Sequence, residues 1–328
     1  MIIKFNNVYV ENVSTVAGPF VIEGPLKDNF DKKFTDFYDG EKTFEKCEMK
    51  ELKESIKILL DKTKYNEEDI SFGISADLMN QLTISNFVYS KLNIPFLGVY
   101  NACASVCEEI LIAASILENE KNKKAICTTS SHNMTSERQF RNPVEYGAPK
   151  PKTTTFTVTG AASLMLTNDK TDIKVTSATI GKVIDMGVDN VFDMGAVMSP
   201  SAAYTLNEHL KQTKTKVSDY DLILTGDLGV YGKDIFKEIC EKEYNIKLDK
   251  NYDDTATMIY DYKENIYAGG SGPACMPLVV YSSIIPKMKQ RIIKKVLLIA
   301  TGALMSPTTC NQKFSIPSVS HAVCLEVI

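Results

Sequence analysis

The chain is poor in arginine and histidine. Among 37 basic residues only Arg138, Arg141 and Arg291 are Arg, and the histidines are His132, His209 and His321. No block of Lys or Arg stands out and the formal net charge is −4, so nucleic-acid binding has no electrostatic footprint. No CxxC pair occurs among the eight Cys. Their scatter argues for free thiols in a reducing cytosol, not a disulfide framework. There is no GxGxxG, Walker or EF-hand pattern, so neither a nucleotide fold nor a dedicated metal loop is supported. The longest charge-free run, Asn265–Pro286, holds three Gly and three Pro. It is a poor membrane span and reads better as a buried helix entered through a Gly-rich turn. The start, Met1-Ile-Ile-Lys-Phe-Asn-Asn, lacks the basic and apolar regions of a signal peptide.

What is present is a globular composition: 328 residues, 44% hydrophobic and 24% charged, enough for two domains or two halves of one. Strand and helix alternate. Thr43–Leu60 has apolar residues at helical spacing. Strands are expected at Ile2–Val13, Ile70–Ser75, Lys124–Ser130, Thr155–Leu166, Ile173–Ile180, Leu222–Thr225, Val296–Thr301 and Val319–Val327. Met258–Tyr260 reads as a short strand. Ile94–Tyr100 is apolar on both faces, as the centre of a buried sheet requires. Helices are expected at Ile84–Leu92, Ala102–Leu117, Ala202–Lys211, Lys233–Glu243 and Gly272–Met288, with a long polar loop over Ser131–Lys152.

The two halves rhyme. DISFGISADLMN (69–80) parallels DLILTGDLGVYG (221–232), and YNACASVCEEI (100–110) parallels GGSGPACMPLV (269–279). KKAICTTSS (123–131) parallels KKVLLIATG (294–302), and TVTGAASLML (157–166) parallels PSVSHAVCLEV (317–327). Four segments recurring in one order indicate an internal duplication, with halves at 1–171 and 172–328. Each half reads βαβαβ plus a returning strand. The all-apolar helices then belong between two sheets.

Cys103 opens a buried helix, where backbone N–H groups and the helix dipole favour a thiolate; the competing reading is a small core residue. Cys107, one turn on, makes only a weak metal pair with it. A nucleophilic Cys needs a base. His132 and His321 are the candidates, each with a structural role as the alternative, while His209 reads as a surface residue. Arg138 and Arg141, three apart in a chain that otherwise uses Lys, point to a forked carboxylate contact, or to a structural pair with Glu137 or Glu145. Asp77, Asn80 and Asp227 follow strand C-termini, where α/β sheets bind ligands. For Asp227 a helix cap is the favoured reading. Gly269, Gly270 and Gly272 allow close backbone approach.

With those residues in view the chain resembles the thiolase and ketoacyl-synthase superfamily and, more narrowly, the family of stage V sporulation protein AD (SpoVAD). The resemblance rests on IPFLGVYNACAS (94–105), TSSHNMTSERQFRNPVEYGAPKP (129–151), TVTGAASL (157–164) and VTSATIGKVIDMG (175–187). It extends through DYDLILTGDLG (219–229), YAGGSGPACM (267–276) and ATGALMSPTTCNQKFSIPSVSHAV (300–323). It implies an α/β thiolase-like fold, two duplicated βαβαβ halves forming five layers (αβαβα), and no cofactor. It implies sporulation, with dipicolinic acid (as such or as its calcium chelate) bound without catalysis during forespore loading. It implies a cytoplasmic chain, peripheral to the forespore or spore inner membrane, beside membrane-embedded SpoVA proteins. A homodimer rests on superfamily analogy alone.

Condensing enzymes of this fold carry a His after the strand matched by ILTGDLG, where this chain has Gly226 and Asp227. They carry another His or Asn in the segment matched by GGSGP, where it has Gly270 and Ser271. Cys103 is then a vestigial nucleophile position; His321, from the last strand pair, is the one candidate substitute. The expected ligand site comprises Cys103, Ser131, His132, Asn133, Arg138, Arg141, Asp77, Asn80, Gly270, Ser271 and His321. Asn101 stands where the family usually has Gly, and a larger side chain there is expected to narrow or repolarise the pocket. The alternative is an active Cys103-dependent acyltransferase.

Overall fold

The computed structural model describes residues 1–140, 149–261 and 266–328. Its first repeat contributes strands β1 (Tyr9–Ala17), β2 (Phe72–Ala76), β3 (Phe96–Gly98), β4 (Lys124–Ser131) and β5 (Gly160–Thr167). The second contributes β6 (Ile173–Thr179), β7 (Leu222–Thr225), β8 (Tyr252–Asp254), β9 (Lys295–Ala303) and β10 (Ser318–Val327). The strands lie in the order β3-β2-β4-β5-β1 and then β6-β10-β9-β7-β8. Read outward from the centre, the two orders are the same, so the duplication seen in the sequence is a duplication of topology. In each repeat the three outermost strands run parallel, and the fourth and fifth pair antiparallel. The sheets are therefore mixed, not purely parallel. They join edge to edge where Tyr9 and Val10 meet Lys174 and Ile173.

Three hydrophobic cores account for five layers. Helices α1 (Phe44–Thr63) and α2 (Thr83–Tyr89) cover the outer face of the first sheet through Leu52, Ile56, Ile84 and Ile126. Helices α5 (Met194–Thr213) and α6 (Gly229–Tyr244) cover the second through Met198, Leu206, Phe236 and Leu297. Between the sheets lie α3 (Ser105–Leu117) and the segment from α8 (Cys275–Val279) through a π-helical turn, Val280–Ile284, into α9 (Ile285–Lys289). α3 and α8 are apolar around their circumference because sheet packs on both sides of them. Pro277 is tolerated in the first turn of α8, where the N–H it lacks would have had no helical acceptor. Pro286 follows the π-turn, whose wider ring takes up the carbonyl that a proline would otherwise strike.

Several expectations are corrected. Phe96–Gly98 is the edge of the sheet and Leu97 is exposed; its apolar run covers α2 and does not mark a centre. The expected loop after β4 begins with helix α4 (Asn133–Phe140). The expected strand at Met258–Tyr260 lies largely in helix α7 (Thr255–Ile259), capped by Asp254. His209 is wholly buried, held between Thr179 and the Tyr220 hydroxyl at 2.8 and 2.9 Å. No disulfide joins any of the eight cysteines, as expected.

Candidate functional site

The starts of the two central helices meet at the pseudo-twofold axis. In the repeat alignment Cys103 and Gly272 are equivalent positions, and in space they touch: the Gly272 N–H donates to Cys103 Sγ at 3.2 Å. Cys103 sits in a short 3₁₀ turn, Ala102–Ala104, that leads into α3. The preceding Ala102 is left-handed, φ +48°, a strained geometry that lifts the thiol out of the helix line. No side chain caps the first turn of α3, so its positive end faces this region.

A cavity of about 240 Å3 opens over the sulfur. Leu78, Tyr100, Ala102 and Cys103 come from the first repeat; Met194, Met198, Ser271, Gly272 and Ala303–Met305 come from the second. Ser136 and Phe140 of α4 and Thr157 close one side. Among the described residues, every one that lines the cavity is uncharged.

Asp227, for which the sequence favoured a helix cap, belongs to the site. It is buried, with φ +66°, and this left-handed turn swings its carboxyl inward instead of along α6. Its Oδ2 accepts the Gly272 N–H at 2.7 Å, and it hydrogen-bonds the Cys103 and Cys275 thiols. Burial pushes its pKa up to about 7. The capping expected of Asp227 is done by Asp254, which accepts from the Leu228, Gly229 and Ala256 amides; burial lifts that carboxyl to about 6. The signal available in the sequence was the alignment of Asp227 with the position of a family His, followed two residues later by a Gly.

The other expected site residues divide. Cys103 and Ser271 line the cavity; Gly270 is behind it, packed against Ile259 and Cys275. Ser131 is buried below Gly272 and donates to the Val158 carbonyl at 2.7 Å. Asn133 donates to the Thr157 carbonyl and supports that wall from outside. Asn80 is exposed and touches the cavity only through the Tyr100 hydroxyl. Asp77 turns away, accepting from Ser85 and Met79 to hold the start of α2.

None of the three histidines lines the cavity. His132 faces the opposite side of β4, with Nε2 donating to the Phe37 carbonyl at 3.0 Å. His321 accepts from the Gly181 N–H through Nδ1, and its Nε2 lies 3.1 Å from the Asn101 amide. Burial drives both imidazoles down to about 4. Asn101 also donates to Glu108 at 2.7 Å, so its amide points away from the cavity and does not narrow it. Arg138 pairs with Glu45 at the surface, a partner on α1 that was not among those weighed. Arg141 lies outside the described residues.

Because Arg138 is half-exposed and serves Glu45, Arg138→Lys is expected to change stability by less than about 1 kcal/mol and to leave ligand affinity in the cavity unchanged. Urea unfolding and calorimetry check both.

Comparison with known proteins fits this geometry. The family described as Stage V sporulation protein AD (SpoVAD) matches residues 2–326. Stage V sporulation protein AD of Bacillus subtilis (strain 168) is 40% identical over 319 residues, 97% of this chain and 94% of that protein. Among solved structures, 3-oxoacyl-[acyl-carrier-protein] synthase III from Aquifex aeolicus VF5 superposes with a TM-score of 0.58 at 12% identity, covering 97% of this chain and 99% of the other. Cerulenin-bound OleA from Xanthomonas campestris gives a TM-score of 0.63 at 14% identity, covering 99% and 98%. At such identities the structures establish the fold alone, a thiolase-like α/β architecture. The sequence matches establish more: the chain belongs to the stage V sporulation protein AD family, and its role is in sporulation.

Proposed function

We propose that this sporulation protein binds dipicolinate in the Cys103 cavity and does not turn it over. The observation that carries the reading is the chemistry around the sulfur: a backbone N–H and a carboxyl, with every imidazole of the chain engaged elsewhere. A carboxyl cannot supply the positive charge with which an imidazolium steadies a thiolate. Nor, among the described residues, does the cavity offer the His or Asn donors that polarise a thioester, a loss worth about 10²–10⁴ in rate for each group. What persists is a largely apolar space whose lining includes the aromatic side chains of Tyr100 and Phe140, suited to a small planar ring. The positive end of α3 lies at its base for a carboxylate.

In this proposal the chain works with the membrane-embedded SpoVA proteins on the cytosolic side of the forespore membrane. Among the described residues no helix is long and apolar enough to cross a membrane, and membrane contact is assigned to those partners.

Calorimetry with dipicolinate, with and without calcium, tests the reading. Binding is expected in the wild type and is expected to weaken about tenfold or more in Ala303→Phe, which fills the cavity at the end of β9. Absence of heat at millimolar ligand overturns it. So does a stable acyl adduct on Cys103 after incubation with acyl-CoA, accompanied by thioester turnover.

A further inference from the structure

On the far side of the first sheet, three unlike metal-ligating side chains converge in a fully buried space. Cys47 and Glu51 stand one turn apart on α1, and His132 follows β4. One donor atom from each lies within 4.8 Å of the other two. Glu51 is wholly buried, yet among the described residues its Oε2 has no hydrogen-bond partner and its Oε1 meets only the Cys47 thiol, at 3.9 Å. A buried carboxyl without a donor or a cation calls for a partner. The neighbouring Glu48 shows the contrast: the Ser130 and Thr135 hydroxyls satisfy both of its oxygens.

The imidazole is already prepared. The Phe37 carbonyl can only accept, so His132 Nε2 carries the proton. Nδ1 carries the lone pair, which accepts the Met134 N–H at 3.3 Å. A metal-bound histidine has one nitrogen anchored to a carbonyl in this way; here Nδ1 would exchange the long Met134 hydrogen bond for the ion.

We infer that Cys47, Glu51 and His132 form a binding site for a divalent cation of the zinc class. A thiolate and a carboxylate balance the two positive charges, and the neutral imidazole completes three ligands. Sulfur and nitrogen donors select zinc-class ions over calcium or magnesium. Zinc bonds of about 2.0–2.3 Å place tetrahedral ligands roughly 3.5 Å apart, so the three atoms need close by only about 1 Å. Binding of the ion displaces the thiol proton and the carboxyl proton to solvent. Glu48, Asp39, Asp36 and Lys50 are the other charged or titratable groups acting on the cluster. The site ties α1 to the Phe37 loop and to the start of α4, which carries Ser136 and Phe140 into the dipicolinate cavity. It stands independently of the ligand reading.

The test uses untagged protein from cells grown with added zinc, and protein loaded with cobalt(II) instead. The expected results are about one metal per chain and a near-ultraviolet thiolate-to-cobalt band. That band should be lost in Cys47→Ser and kept in Cys103→Ser and Cys310→Ser. Glu51→Gln, which preserves volume, should bind cobalt about tenfold or more weakly, and serves if Cys47→Ser does not fold. Wild-type protein with less than about a tenth of a metal per chain and no cobalt band overturns the inference, as does a band that survives Cys47→Ser.

Discussion

Asp227→Asn is expected to make the protein more stable at pH 8 by about 2–4 kcal/mol, and the gain should vanish near pH 4. The native state holds this carboxyl at about 7, against the ordinary 3.8, chiefly because it is buried, with the Asp254 charge adding to the effect. A raised pKa means that the folded protein binds a proton which the unfolded chain has released. The stability of that protonated form is fully present below about 4 and is lost as pH rises through 7. Asn mimics the neutral carboxyl at every pH, so the difference between the two proteins opens over that window. Its amide oxygen still accepts the Gly272 N–H. Its NH₂ takes the place of Oδ1, which has no partner.

The histidines act in the opposite sense. His132, His209 and His321 are each held near 4 by burial, so each costs stability as pH falls below 6.5. They are common to both proteins and cancel in the difference. Unfolding of wild type and variant from pH 4 to 8 measures it. An equal gain at both ends, or a loss at pH 8, would refute this account. A group that weakens the fold at neutral pH while touching the cavity thiol is what a site retained for function looks like, not one retained for stability.

The repeat was legible because both halves keep the same apolar strands and the same helix starts. Cys103 opening α3 and Gly272 preceding α8 follow directly from the aligned segments. The direction in which side chains leave β4 was not legible. Ser130, Ser131 and His132 sit side by side in the sequence, but a strand alternates its faces. Ser130 and His132 turn outward to Glu48 and the Cys47–Glu51 cluster, whereas Ser131 alone turns inward beneath Gly272. Treating them as one cluster merged two sites on opposite sides of a sheet. Asp77 and Asp227 teach the complementary lesson. Each follows the corresponding strand of its repeat, β2 or β7, yet Asp77 serves Ser85, while the positive φ of Asp227 turns it to Cys103. Arg138 went astray because its partner, Glu45, is remote in sequence and becomes a neighbour only when α1 packs beside α4.

Gly272→Ala should cost about 2–5 kcal/mol, for two separable reasons. Its φ of +107° lies where L residues are strained, and an added Cβ would stand 2.7 Å from Ser131 Oγ. Ser131 cannot swing aside cheaply, because it is buried and bonded to the Val158 carbonyl. Any shift of the Gly272 backbone also pulls its N–H away from both Cys103 and Asp227. The mirrored contact explains why the space is so tight: Gly302, the repeat mate of Ser131, lies against Asn101 and Ala104 at the start of α3. Each helix start thus presses on the opposite sheet, and at the axis there is room for one side chain, the Cys103 thiol, but not for a second. The double variant Gly272→Ala/Ser131→Gly separates the terms. It should recover the part due to the clash, about 1–3 kcal/mol, and leave the backbone strain, as read by urea unfolding. Full recovery would show that the backbone is unstrained at this position; no recovery would show that the contact with Ser131 is irrelevant.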